Sequence, residues 1–140
     1  MASHSVGIMS TATPPPLVIG LGQIAYAVDN VERTTKFLRD QVGLKFLFNA
    51  PPNLSFFDLG GVRLMIGRPQ GAGMVGTNSV LYLRCSDIQA THQELKERGV
   101  RFDRDPMIMA KMPDHELWMA FFRDPDGNLL GLMEERRHPV

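Results

Sequence analysis

The chain has 140 residues, 44% of them hydrophobic, and its 15 Lys and Arg balance 15 Asp and Glu. That length supports one compact domain, or two small halves sharing a core, without a disulfide or metal staple. The single cysteine, Cys85, excludes an internal disulfide and a cysteine-built zinc site, and the even charge gives no reason to expect nucleic acid or an anionic membrane as partner.

A lone thiol suits a reducing compartment, so a cytoplasmic location is expected. Residues 1–18, MASHSVGIMSTATPPPLV, lack the basic start and continuous apolar stretch of a secretory signal, and no apolar run reaches bilayer length. They read as a disordered leader in which Pro14 to Pro16 favour polyproline II.

From residue 19 the chain repeats itself. LGQIAYAV alternates as a strand should and runs into Asn30, a good helix N-cap. Val31, Thr35, Leu38 and Val42 then form one apolar helix face, and Gly43 sits where the helix should stop. Three more strands complete the half, ending in GGVRLMIG. A glycine-rich linker covers 69–78, flexible enough for closure within a chain or exchange between chains. The second half restates the pattern: VLYLRC, the cap Asp87, a face of Ile88, Thr91 and Leu95, the stop Gly99, then strands that include HELWMAFF and LLGLMEE around the turn DPDGN. Val31 and Leu38 recur as Ile88 and Leu95 after 57 residues, and Gly43 and Phe46 as Gly99 and Phe102 after 56. The expectation is an α+β protein of two tandem β-α-β-β-β modules, 19–68 and 79–135, with 136–140 as a C-terminal tail.

The doubled unit, the strand-then-Asn/Asp helix openings and DPDGNLLGLMEE near the C-terminus resemble the vicinal oxygen chelate superfamily, which includes glyoxalase I, extradiol dioxygenases and bleomycin-binding proteins. The resemblance spans about residues 20–135. It implies that the mixed sheets form an open cup with the helices on its outer face, that a divalent metal usually sits in the cup, and that the chains commonly pair as homodimers. The positions matching the family's metal ligands are Gln23, Met65, Val80 and Gly131. An amide, a thioether, an isopropyl group and bare backbone supply no charge to offset the desolvation of a divalent cation. Neither a metal nor another cofactor is therefore expected, and the cup should take a small organic ligand. Gly131 reads as room for that ligand, or else as a bulge or close backbone approach.

If the family's ligand positions and its inward register at Phe121 carry over, strand alternation places Gln23, Ala25 and Ala27, then Val80, Tyr82 and Arg84, then His115, Leu117, Met119 and Phe121 inside the cup, with Trp118, Ala120 and Phe122 under the helices. His115 is the candidate general acid/base, because an imidazole titrates near neutrality, and Asp114 or Glu116 could orient it. The alternative is a water-exposed rim histidine. Tyr82 is a second catalytic candidate, or a core tyrosine with its hydroxyl at the surface. Arg84 could anchor a carboxylate or simply reach solvent. Gln23, Met65, Val80, Met119, Phe121 and Gly131 complete the expected substrate-binding set. His92 should pack at a helix edge, and most of Met65, Met107, Met109, Met112, Met119 and Met133 should be core. Two functions fit: a metal-independent lyase or isomerase using His115, or a non-catalytic protein that sequesters a drug or toxin. The acidic groove of the bleomycin-binding branch has no counterpart on the inward strands.

Overall fold

The fold was analysed on a computed structural model, which describes residues 14–69 and 74–138. The leader up to residue 13 and linker residues 70–73 lie outside the described residues. The first half comprises β1 (Gln23–Ala27), α1 (Val31–Lys36), β2 (Lys45–Ala50), β3 (Leu54–Leu59) and β4 (Val62–Gly67). The second comprises β5 (Leu81–Arg84), α2 (Ile88–Glu97), β6 (Phe102–Lys111), β7 (His115–Arg123) and β8 (Leu129–Arg137). Each half builds a four-stranded sheet, in the orders β1-β4-β3-β2 and β5-β8-β7-β6. The first strand of each runs parallel to the last, and the other pairings are antiparallel. The expected α+β architecture of two mixed, open sheets is thus present. β8 reaches two residues into the segment expected as tail, because Arg136 and Arg137 pair with Glu116 and His115.

Local signals act as their chemistry dictates. Asn30 Oδ1 accepts from Arg33 N at 2.9 Å, and Asp87 Oδ1 from Ala90 N at 3.0 Å, satisfying first-turn N–H groups that otherwise lack partners. Gly43 and Gly99 end the helical segments at φ 85° and 93°, the left-handed conformation that only glycine adopts without strain. One element differs from expectation. The first helix does not stay α-helical to its end but widens into a π-helical stretch over Phe37–Val42, where Gly43 N and Leu44 N both bond Leu38 O at 2.9 Å.

The helix-facing sides of both sheets feed one core. Tyr26, Phe57, Leu64 and Ile66 of the first half join Ala120, Phe122, Leu130 and Leu132 of the second, with Phe37 set against Phe122 at 6.2 Å. Parity is therefore as expected on β7, with Ala120 and Phe122 buried beneath the helices and Trp118 packed against them. The methionines are a correction. None belongs to the buried core, and Met107, Met109 and Met112 are 40%, 47% and 45% exposed. Met107 and Met109 lie on β6, an edge strand paired on one side only, and Met112 lies just past its end, so these flexible side chains flank the open face rather than fill the interior. No helix among the described residues is long and apolar enough to cross a membrane.

Candidate functional site

The candidate site is the face of the sheets opposite the helices. On the first sheet Gln23 Nε2 approaches Met65 Sδ at 3.7 Å, Met65 lies between Ala25 and Phe56, and the Phe48 and Phe56 rings stand 4.8 Å apart.

The second sheet presents two adjacent cross-strand rows. One runs Tyr82, Gly131, Phe121, Arg104 and the next Arg84, Met133, Met119, Met107. Gly131 explains the surface. A Cβ built there would lie 2.9 Å from Tyr82 Cδ1 and 3.2 Å from Phe121 Cε1, so the missing side chain accommodates these two rings. The space expected for a ligand directly on Gly131 is occupied by them. No bulge is present either, since β8 pairs in unbroken register with β5 and β7 through this point. The rings meet edge to face, 6.2 Å apart at 79°, and Tyr82 remains 50% exposed. The result is an aromatic floor beside a methionine wall. Val80, just before β5, joins Tyr82, Arg84 and Met133 in a groove of about 610 Å³ whose other wall includes Ile24 and Leu59 of the first sheet.

His115 stands apart. It opens β7, six residues from Phe121, a distance of about 20 Å along an extended strand. The two catalytic candidates, His115 and Tyr82, are therefore not brought together. Asp114 Oδ1 lies 2.8 Å from His115 Nδ1, and its Oδ2 accepts from Arg137 Nη1. The hydrogen bond with His115 outweighs desolvation and, with smaller contributions that include the Arg137 charge, holds the Asp114 carboxyl below its ordinary range. Of the two orienting candidates, Asp114 takes the role; Glu116 turns to Trp118 Nε1 at 3.2 Å. His92 packs as expected, its ring on Phe102 at 4.4 Å and Nε2 3.1 Å from Asp105 Oδ1.

A profile of the glyoxalase/bleomycin resistance protein/dioxygenase superfamily matches residues 20–132. The chain belongs to this superfamily. It is similar to the antibiotic-binding protein TnmS3 of Streptomyces sp. CB03234, with 25% identity, a TM-score of 0.72, and 86% of this chain and 99% of that one covered. An uncharacterized protein of Bacillus subtilis (strain 168), YraH, is 26% identical over 124 residues, covering 77% of this chain and 92% of its own. The lactoylglutathione lyase of Agrobacterium tumefaciens shares the fold at 22% identity and a TM-score of 0.66, with 86% and 95% covered.

In this superfamily member the family's metal does not fit the residues present. Gln23 and Met65 offer an amide and a thioether that already face each other, Val80 has no donor, and Gly131 lies beneath Tyr82. Among the described residues no three His, Cys, Asp or Glu side chains converge on one point. Three members of the floor escaped sequence reasoning. Met133 shares parity with Gly131 and was available from alternation alone. Met107 and Arg104 were not, because β6 carries register shifts between Phe102 and Arg104 and again before Met107, which break the alternation rule.

Proposed function

We propose that this superfamily member is a binder of a small organic molecule, held without metal on the open face of its second sheet, and that it acts in the cytoplasm by sequestering a drug or toxin. The Tyr82–Phe121 pair over Gly131 carries the reading: the half-exposed Tyr82 ring, with Phe121 set edge to face against it and Met119 and Met133 alongside, offers one aromatic face for stacking and polarisable neighbours for dispersion. Arg84 flanks it on β5, and the likeness to an antibiotic-binding protein supports it. In a homodimer, the first sheet of one copy, with Gln23, Met65 and Phe56, laid over the second sheet of the other would enclose the ligand.

Mass spectrometry of freshly purified protein under native conditions tests the proposal, with a bound small molecule as the expected result. Phe121→Ala should then lose on the order of tenfold or more in affinity while remaining folded. Loss of no affinity at all in Phe121→Ala would remove the floor from the account.

A second reading is supported by one observation. With Nδ1 held by Asp114, and Nε2 without a hydrogen-bond partner among the described residues, His115 has the arrangement of a general base in a lyase or isomerase. His115→Ala separates the two. A binder keeps its affinity, whereas an enzyme loses at least roughly a hundredfold in turnover.

A further inference from the structure

The chain has eleven arginines. Among the described residues seven of them, Arg33, Arg39, Arg68, Arg98, Arg123, Arg136 and Arg137, hold a carboxylate within 4.0 Å. Of the four that do not, three stand on the open faces. Arg63 lies over Phe56 on the first sheet, and Arg84 and Arg104 occupy opposite corners of the aromatic floor on the second. Arg104 Nη1 lies 3.8 Å from the Met107 thioether. Two carboxylates also line the groove beside Arg84, but neither pairs with it: Asp58 accepts from Gly61 N at 3.0 Å, and Glu135 lies 3.5 Å from Arg137. The floor thus offers apolar ring surface with unneutralised positive charge at both ends.

Resting on the binding reading above, we infer that the ligand is a planar aromatic compound carrying an anionic group, of the aromatic carboxylate class. The four strands of the second sheet span about 14 Å from first to last, so a compound of two or three fused rings stacked on Tyr82, with Phe121 at its edge, places its acidic end within reach of a corner guanidinium. A planar guanidinium pairs with a carboxylate through two parallel hydrogen bonds. Cationic drugs are disfavoured by the same two arginines.

Three matched probes test this: anthraquinone-2-carboxylate, neutral 2-(hydroxymethyl)anthraquinone and cationic 9-aminoacridine, titrated calorimetrically into the intact chain at low and high salt. The carboxylate should bind on the order of tenfold tighter than the neutral probe, with the cation weakest. Added salt, or Arg84→Gln with Arg104→Gln, should erase that preference, so that the carboxylate and the neutral probe bind the double variant about equally. Both substitutions are at exposed surface positions, and circular dichroism verifies that the fold survives. If the neutral or cationic probe binds as tightly as the carboxylate, the ligand class is wrong and the binding reading stands. If no probe binds, and the glutamine pair instead changes the sedimentation coefficient, this face is a contact between copies that leaves no room for a ligand, and both readings fall. If no probe binds and sedimentation is unchanged, both fall as well.

Discussion

A methyl group at Gly131 would stand closer to Tyr82 and Phe121 than carbon atoms pack, yet the residue's φ lies outside the left-handed region and its backbone tolerates any side chain. The conflict is therefore with a movable ring and not with the chain. Tyr82, half-exposed on the short strand β5, can swing toward solvent to relieve it. Gly131→Ala should accordingly cost only about 1 kcal/mol of stability, a typical overpacking penalty, while it tilts the floor and lowers ligand affinity about tenfold. Adding Tyr82→Ala removes the overlap, so the double variant should be more stable than the sum of the singles by about 0.5–1 kcal/mol. Chemical denaturation of the four proteins measures that coupling, and strict additivity would show that the rings do not meet over Gly131. Alternation along the strands, anchored on the positions taken from the family resemblance, was enough to place Tyr82, Arg84, Met119, Phe121 and Gly131 on one face. What it could not reveal was which side chain leans over the glycine, because that depends on a neighbour 49 positions away in sequence.

The same boundary between local and remote information runs through the helices. Asn30 and Asp87 were readable as caps because a capping bond joins residues three apart, and Gly43 and Gly99 as stops because the stop is a property of one residue. The second cap of α2 was not readable. Glu134, 46 residues downstream and almost fully buried, accepts from Ile88 N at 2.8 Å and from Arg136 Nε at 3.1 Å, while the Arg136 guanidinium covers Trp118 at 4.4 Å. The Arg136 hydrogen bond is the largest influence on the Glu134 carboxyl. With the Ile88 N–H it outweighs burial and holds the group below its ordinary range. A carboxyl depressed in the folded state contributes stability fully above the ordinary glutamate range, and that contribution disappears as pH falls through the folded value. Glu134→Gln keeps an oxygen for Ile88 but gives up the charge at the helix start. It should cost about 1 kcal/mol near neutrality and make the stability curve flatter on its acid side. Urea midpoints from neutral to acid pH would test this; equal acid slopes in the two proteins would exclude Glu134 as a contributor.

At the scale of the molecule, the turn that marks the family also fastens the halves together. Asp124 Oδ1 accepts from Asp126 N and Asn128 N inside the turn, while Oδ2 takes the Tyr26 hydroxyl of β1 at 2.9 Å and Asn128 Nδ2 at 2.9 Å. Burial first, and then the Asp124 charge, push the Tyr26 hydroxyl far above its ordinary range, so it remains a donor at every physiological pH. Asp126 accepts from Asp29 N and Arg33 across the same junction, and Asn78 bridges Ala27 to Asn128. Asp124→Ala would strand several buried donors at once and should cost about 3–5 kcal/mol, seen as a lower urea midpoint.

That clasp orders the halves through their helix-facing sides and leaves the opposite faces uncovered. Phe48 at 45% exposure on the first sheet, and Tyr82 at 50% with the β6 methionines on the second, leave large apolar side chains in water on both open faces. Pairing with a second chain would remove that surface from water, at about 25 cal/mol per Å² of apolar area. Sedimentation equilibrium should therefore give twice the 15.6 kDa chain mass. Phe48→Glu puts a charge against the aromatic pair it forms with Phe56 and should shift the protein to a single chain mass with its helical signal intact. If ligand affinity falls in parallel, the first sheet of one copy completes the floor of the other. A single-chain Phe48→Glu protein that binds at full strength would instead assign the whole site to the second sheet alone, and the arginine corners at Arg84 and Arg104 would then set its selectivity without help from Arg63.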